Sequence, residues 1–157
     1  MRRAVERTLC LIKPDGVQRR LIGRIVSRFE DKGLRIAGMK LLRMTAGQAA
    51  RLYAVHRKKD YYGRLVRFVT ASPVVALVLE GRRAAAVARK LMGATRGYEA
   101  EPGTIRGDFG GSETLNLVHG ADGPGAARRE IPIFFREREL CGAGAPDLAW
   151  IYGEHER

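Results

Sequence analysis

The sequence is poor in cysteine and contains no long apolar run, and each of these shortages excludes a class of protein. Its two cysteines, Cys10 in a strand-like run and Cys141 in a Gly/Ala-rich loop, cannot form a disulfide framework. No apolar run approaches the length that crosses a bilayer, and the basic N-terminus lacks the apolar stretch of a signal peptide. We therefore expect a cytoplasmic protein with no membrane segment.

Acidic residues are also scarce, because 17 Asp and Glu face 29 Lys and Arg and leave a net charge of +12. An excess of this size favours an acidic partner, whether a nucleotide or a nucleic acid. The cations are scattered through every predicted element, so a solvated basic surface explains most of them. The net charge by itself therefore does not indicate which function the protein has.

Apolar residues make up 45% of the 157, which is enough to build one compact domain over residues 1–157. Hydrophobic periodicity predicts the order strand, helix, strand, helices, strand, helix, strand, helix. The strands are expected at residues 8–13, 34–44, 74–79 and 115–118, and the helices begin near residues 22, 45, 61, 84 and 124. This is the βαββαβ pattern of an α+β fold, a ferredoxin-like antiparallel four-stranded sheet with helices packed on it, and we expect those helices on one side. A loop-like C-terminal extension follows from about residue 136.

Several local signals refine this order. Thr45 followed by Gln48 predicts a capping box at a helix start. The continuous apolar run 74–79 predicts a central strand that is buried on both faces. Residues 14–16, Pro-Asp-Gly, predict a turn after the first strand, and Gly93 is expected to end the helix that begins at residue 84.

Residues 103–122 combine Arg106, Asp108, Asn116 and His119 with glycines and small polar residues. Such a segment cannot form a core by itself, so we expect a loop with a brief strand that delivers His119 at its end. A histidine placed there, with arginines in reach, is a suitable nucleophile for a phosphoryl group. The other two histidines, at positions 56 and 155, are expected to have packing or surface roles.

Glu130 is predicted to point inward, because it shares one helical face with Ala127, Ile131 and Phe134. A buried carboxylate needs a partner or a function. A salt bridge from Glu130 to one of the many arginines would supply a partner without any role in catalysis.

Several motifs together resemble the nucleoside diphosphate kinase family. They are IRGDF followed by N-x-x-H-G-x-D, together with IKPDGV, SPVVALVLEG, LMGAT and the late WIY, in the family's order over residues 6–152. The resemblance implies the ferredoxin-like fold. It also implies an enzyme that moves the γ-phosphate from a nucleoside triphosphate to a nucleoside diphosphate by a ping-pong mechanism with broad base tolerance.

The resemblance also assigns roles to individual residues. It makes His119 the phosphorylated nucleophile and Glu130 the group that orients it. The resemblance implies phosphate contacts for Lys13, Arg89, Thr95 and Arg106, and contacts to the ribose hydroxyls for Asn116 with Lys13. It also implies that Tyr53 and Tyr61 lie near the nucleotide. Tyr61, with Leu65 beside it, replaces the phenylalanine that usually stacks on the base.

The expected cofactor is Mg²⁺. No carboxylate cluster in the sequence forms a dedicated metal site, so the ion is expected to arrive bound to the nucleotide phosphates. The chain departs from the family pattern at Ala121, where a serine hydroxyl would bond Glu130, and at Gly97, where a proline is common. Neither change removes a group that touches phosphate.

For assembly, the resemblance implies a homohexamer in which the tail reaches a neighbouring subunit, with a tetramer as the alternative. Residues 150–152, Trp-Ile-Tyr, would form a costly apolar patch in water. The tail could instead fold back over its own core, which would leave assembly indifferent to it.

Two other functions stay open at this point. A ferredoxin-like sheet with excess arginine could dock nucleic acid, although the predicted strands lack the exposed aromatic residues typical of such sheets. A catalytically weakened homologue, kept as a structural or regulatory subunit, is the second alternative, which Ala121 makes conceivable.

Overall fold

The fold described here comes from a computed structural model and covers residues 5–142 and 148–156. The predicted single domain also includes residues 1–4, 143–147 and 157, which lie outside the described residues. No helix within the described residues is both long and apolar enough to span a membrane.

A four-stranded antiparallel sheet forms the centre of the fold, as the sequence predicts. Its strands lie in the order β2-β3-β1-β4. All residues of β3 are buried, which confirms its central position. The strands are β1 (Glu6–Ile12), β2 (Arg35–Leu42), β3 (Val74–Gly81) and β4 (Val118–Gly120).

Helices cover both faces of this sheet, so the expectation of helices on one side is wrong. The alternation of side chains along β3 sends Val75, Leu77 and Leu79 to one core and the intervening residues to the other. The first core packs against α2 and α5, and the second packs against α3, α4 and α7. The helices are α1 (Pro14–Gln18), α2 (Ile22–Asp31), α3 (Ala46–Leu52), α4 (Tyr62–Thr70), α5 (Ala84–Met92), α6 (Ile105–Phe109), α7 (Pro124–Phe134) and α8 (Leu148–Ile151).

The capping box at the start of α3 is confirmed. Gln48 N donates to Thr45 Oγ1 at 3.1 Å, and Thr45 N donates to Gln48 Oε1 at 3.0 Å. The α-helix ends at Leu52, however, and a 3₁₀ turn at Ala54–His56 follows it. One continuous helical face therefore does not extend from α3 to His56.

Two short helices replace segments that were predicted as a turn and a loop. The turn expected at residues 14–16 is part of α1, whose first position is a proline with the backbone angle that a helix needs. Within the predicted loop 103–122, α6 begins after Thr104, whose hydroxyl accepts a hydrogen bond from Gly107 N at 3.0 Å. Each of these short helices contains a glycine, so hydrophobic periodicity does not predict them.

The last strand of the sheet lies further along the chain than predicted. It was expected at residues 115–118 with His119 beyond its end, whereas β4 contains His119, paired opposite Leu11 of β1. The reason is Leu117, whose φ of 72° interrupts the extended conformation. Two hydrogen bonds hold it there: Lys13 N donates to Leu117 O at 2.8 Å, and Leu117 N donates to Asp15 Oδ2 at 3.0 Å.

The chain after α7 packs along the edge strand β2. The last predicted helix, α7, continues through Pro132 to Phe134. Beyond it, Cys141 N donates to Ala37 O at 2.8 Å. Ala37 lies where the pairing of β2 with β3 shifts register, so a bulge turns its carbonyl toward the tail.

The end of the described tail folds back onto its own chain in part. Arg82 N donates to the Tyr152 hydroxyl at 3.0 Å, and the Arg82 guanidinium lies 5.5 Å from the Tyr152 ring centre. Ile151 approaches Gly33, while Trp150 is 92% exposed. The three apolar residues of the tail therefore do not act as one patch.

We predict that Gly93→Ala destabilises the fold, because Gly93 has a φ of +82° and an added methyl group would collide with Thr104. With a ψ of −178° this is a conformation that is open almost only to glycine, so the backbone alone should lower the free energy of unfolding by about 1–3 kcal/mol. Chemical denaturation measures this change.

Gly23→Ala is the matched control, since Gly23 lies in α2 with nothing within 4 Å of the added methyl group. It should leave stability unchanged or raise it by up to about 1 kcal/mol. Equal stabilities of the two variants would contradict the positive-φ backbone strain and the collision with Thr104 that are expected for Gly93→Ala.

Candidate active site

A buried arginine fixes the segment that leads into β4. Arg106 is only 5% exposed, and its guanidinium donates to three carbonyl oxygens, of Asn116 at 3.0 Å, Gly93 at 2.9 Å and Val118 at 2.8 Å. A guanidinium has five N–H donors, so two remain for another acceptor. Burial, and then the nearby charge of Arg89, lowers the pKa of Arg106 to about 10.

A second buried cation, at the end of β1, contacts the same segment. Lys13 Nζ donates to Asn116 Oδ1 at 2.8 Å, and Asn116 Nδ2 donates to Thr95 O at 3.0 Å. Burial, and then the charge of Arg106, lowers the pKa of Lys13 to about 8. Burial and the charge of Arg106 both disfavour the charged form of the lysine. An approaching anion would favour that charged form. The Thr95 backbone thus belongs to the site, while its side chain is exposed.

His119 is held by a single carboxylate. Its Nε2 lies 2.9 Å from Glu130 Oε2, and both side chains are largely buried, with exposures of 18% and 14%. An ionised carboxylate only accepts hydrogen bonds, so Nε2 carries the proton and Nδ1 carries the lone pair. Glu130 therefore pairs with His119, and the alternative salt bridge to an arginine is not what the structure contains.

The edge of the Tyr53 ring stands against His119. The ring centres are 5.6 Å apart and the planes meet at 82°. Among the described residues the buried Tyr53 hydroxyl has no hydrogen-bond partner. Burial and the charge of Glu130 raise the pKa of Tyr53, so the hydroxyl keeps its proton and can donate.

Arg89 joins this group from α5. Its Nη1 donates to Gly120 O at 3.3 Å and lies 3.2 Å from Asp122 Oδ1. Both side chains are substantially exposed, so this ion pair is weak and Arg89 can exchange Asp122 for another anion.

The predicted base-binding residues lie further out. The Tyr61 hydroxyl is 2.9 Å from His56 Nδ1, and the His56 ring lies between the rings of Tyr61 and Tyr53. Tyr61 is 37% exposed. Leu65 follows one turn later, with its backbone N bonded to Tyr61 O at 3.0 Å, and packs against the second core.

Sequence reasoning missed the role of Asp15. One of its carboxylate oxygens holds Leu117 N at 3.0 Å, and the other is buried and has no partner in the described part of the chain. Its negative charge also raises the pKa values of Lys13 and Arg106 against the effect of burial. The IKPDGV motif contained the residue, but a bond to a residue 102 positions away has no local signal.

No three His, Cys, Asp or Glu side chains in residues 5–142 and 148–156 lie together as a metal site would require. Asp122, beside the exposed Arg89, is a single carboxylate at the rim.

A histidine held by a carboxylate, beside two buried cations on a ferredoxin-like sheet, is suited to a phosphotransferase that works through its own histidine. Comparison with known proteins gives the family. The model of the nucleoside diphosphate kinase family matches residues 6–140.

Individual relatives agree. A nucleoside diphosphate kinase of Halalkalibacterium halodurans is 55% identical over 136 residues, which cover 87% of this chain and 92% of the relative. One from Thermoplasma acidophilum is 50% identical over 149 residues, with 95% and 96% covered. The solved structure of a halophilic nucleoside diphosphate kinase from Halobacterium salinarum in complex with CDP superposes with a TM-score of 0.92 at 47% identity, covering 96% of this chain and all of that one.

The chain therefore belongs to the nucleoside diphosphate kinase family. It is a transferase, and its reaction is that of the family: transfer of the γ-phosphate between nucleotides by a ping-pong mechanism with a phosphohistidine intermediate.

We predict that Asp15→Asn lowers the pKa of Lys13 below its value of about 8, because it removes the negative charge that favours the ammonium form. The amide oxygen of Asn can still accept the bond from Leu117 N, so the backbone should stay in place. NMR titration of the labelled lysine side chains measures the pKa directly.

The control is Asp31→Asn, which removes an exposed acid at the end of α2. It should leave the Lys13 titration unchanged. A Lys13 pKa that is unaffected by Asp15→Asn would show that the two charges are not coupled.

Proposed function

We propose that His119 is the histidine that carries the phosphoryl group. The observation that supports this most directly is the 2.9 Å hydrogen bond from His119 Nε2 to Glu130, which leaves Nδ1 unprotonated. An imidazole held in one tautomer presents its lone pair in a fixed direction, which a nucleophile requires. Glu130 also stabilises the positive charge that the ring gains during attack.

In the first half-reaction, the Nδ1 lone pair of His119 attacks the γ-phosphorus of a nucleoside triphosphate. The N–P bond forms as the bond to the β,γ-bridging oxygen breaks, and the electron pair of that bond leaves with the nucleoside diphosphate. In the second half-reaction, a terminal β-phosphate oxygen of the incoming diphosphate attacks the same phosphorus and the N–P bond breaks. The proton on Nε2 stays with the His119–Glu130 pair throughout.

Cations stabilise the transferring group in this proposal. Phosphoryl transfer spreads charge over the equatorial oxygens, so donors aimed at them supply most of the catalysis. Within the described part of the chain, Lys13 keeps two N–H donors without a partner, and so does Arg106. The buried Tyr53 hydroxyl supplies a further donor near His119. Arg89 exchanges its ion pair with Asp122 for one with the phosphate.

The remaining predicted residues bind the nucleoside. Asn116 and Lys13 are bonded to each other and are proposed to share the ribose hydroxyls, while the Thr95 hydroxyl, exposed just beyond α5, binds phosphate. Tyr61, with Leu65 beside it, provides the surface for the base. Stacking on an aromatic ring makes no use of the base edges, which is consistent with broad base tolerance.

We also propose that Mg²⁺ enters bound to the nucleotide, as part of the substrate. The ion prefers phosphate oxygens and water with one or two carboxylates, and no three-residue group in the described ranges competes for it. The proposed location of the enzyme is the cytoplasm. Binding of nucleic acid is not required, and β1 and β3 present no exposed aromatic side chain that a nucleic-acid-binding sheet would use.

A homohexamer is the proposed assembly of the single domain, with the tail at an interface. Trp150 is 92% exposed, and Met39 and Leu41 on the edge strand β2 are 56% and 66% exposed. Apolar side chains this exposed favour burial against another subunit. Ile151 and Tyr152 contact their own chain, so the proposal for the tail depends on Trp150 alone.

His119→Asn is expected to abolish both transfer and acid-labile, alkali-stable labelling by γ-labelled ATP, while nucleotide still binds. The amide cannot form a stable phosphorylated intermediate. The matched control is His155→Asn, a change in the exposed tail that should leave labelling unchanged. Near-normal transfer by His119→Asn would refute the mechanism. A wild type that takes up no label would support the alternative of a nucleic-acid-binding protein.

Ala121→Ser is expected to leave activity unchanged or to raise it modestly, because the new hydroxyl can bond Glu130. Ala121 is buried directly after β4, where a hydroxyl needs such a partner. One hydrogen bond contributes about 0.5–1.5 kcal/mol, so the gain in kcat should not exceed about tenfold. A large loss of activity would show that the residue after His-Gly has a different environment from the family's.

Trp150→Ala is expected to weaken or dissociate the hexamer and to lower its melting temperature. Light scattering and thermal denaturation of both proteins measure these changes. A wild-type monomer, or a variant hexamer with the melting temperature of the wild type, would contradict the proposed role of Trp150.

A further inference from the structure

The hydrogen bond between Tyr61 and His56 plays no part in the mechanism above. The Tyr61 hydroxyl lies 2.9 Å from His56 Nδ1, with the ring centres 5.8 Å apart and the planes tilted by 49°. It is a contact between two side chains five residues apart on the protein surface. A surface ring has rotational freedom that folding alone does not remove, and this bond restricts it.

The backbone between the two residues is also fixed. His56 ends the 3₁₀ turn at Ala54–His56, and its carbonyl oxygen accepts a bond from Lys59 N at 2.8 Å. Tyr62 N in turn donates to Lys59 O at 3.1 Å, which places Tyr61 directly before α4. The segment 56–61 is therefore closed by backbone hydrogen bonds in addition to the side-chain bond.

His56 also connects the outer ring to the centre of the site. Its ring centre is 6.3 Å from that of Tyr53, and Tyr53 in turn stands 5.6 Å from His119. The four rings of Tyr61, His56, Tyr53 and His119 thus follow one another in contact. The inner end of this series is buried, so it provides a fixed base from which His56 can orient Tyr61.

We propose that His56 is a positioning residue that fixes the Tyr61 ring as a platform for the nucleobase. This inference depends on the proposed role of Tyr61 in base binding. A ring held in its bound orientation before the nucleotide arrives loses less freedom on binding, which strengthens the binding of the base. The chemistry at phosphorus is unaffected by it, so the contribution of His56 belongs to nucleotide affinity.

The test compares two acceptors, a nucleoside diphosphate and ribose 5-diphosphate, which has no base to stack. His56→Ala should raise the KM for the nucleoside diphosphate by about two- to tenfold, the effect of one hydrogen bond, with kcat unchanged. For ribose 5-diphosphate the KM of the variant should equal that of the wild type. His155→Ala is the matched control and should change neither KM.

Two further variants separate positioning from general damage. His56→Gln retains an amide that can bond the Tyr61 hydroxyl and should restore most of the affinity. Tyr61→Phe removes the hydroxyl and should raise KM to the same extent as His56→Ala. The double variant His56→Ala/Tyr61→Phe should be no worse than either single change, because both remove the same bond.

Additive effects in the double variant, or an equal rise in KM for ribose 5-diphosphate, would overturn the inference. So would an unchanged KM in His56→Ala while Tyr61→Ala still raises the KM for the nucleoside diphosphate. If Tyr61→Ala leaves that KM unchanged, the proposed base platform itself fails. If the wild type forms no phosphohistidine, the proposed role of His119 fails.

Discussion

The three hydrogen bonds of the buried Arg106 guanidinium are the interaction on which the site depends. They join Gly93, just beyond the end of α5, to Asn116 and Val118 at the start of β4. The carbonyls of Gly93 and Asn116 lie outside the strands of the sheet, so a buried side chain donates to them where no neighbouring strand does. Without the guanidinium the segment that leads to His119 would be held only by its bonds to Lys13, Asp15 and Thr95 and by the short pairing of β4 with β1.

The same arrangement places cations close together before any substrate is present. Arg106 lowers the pKa of Lys13, and Arg89 lowers that of Arg106, so each charge is unfavourable to its neighbour in the empty site. Asp15 offsets this cost only in part. In the proposed mechanism a polyanionic nucleotide relieves the repulsion, and the donors need no rearrangement when charge develops on the phosphoryl oxygens. The fold therefore supplies an electrostatic field that is prepared in advance.

Features that depend on neighbouring residues could be predicted from the sequence. The all-apolar run of β3, the capping box at Thr45 and the glycine that ends α5 each follow from local pattern, and the structure contains all three. The position of β4 could not be predicted, because Leu117 is held by Lys13 and Asp15 from the far end of the chain. The resemblance to a family identified most candidate site residues, yet it could not reveal how Tyr61 is held by its neighbour.

Leu117 has a consequence for how this site can change by mutation. Its φ of 72° favours glycine, but its side chain is fully buried and fills the first core. Glycine would relax the backbone and leave a cavity, while a β-branched residue would fill the core and worsen the backbone. Neither kind of substitution satisfies both requirements, so each is expected to make the fold less stable than leucine does. Two opposing requirements on one residue thus limit the mutations that the chain can accept where it enters the site.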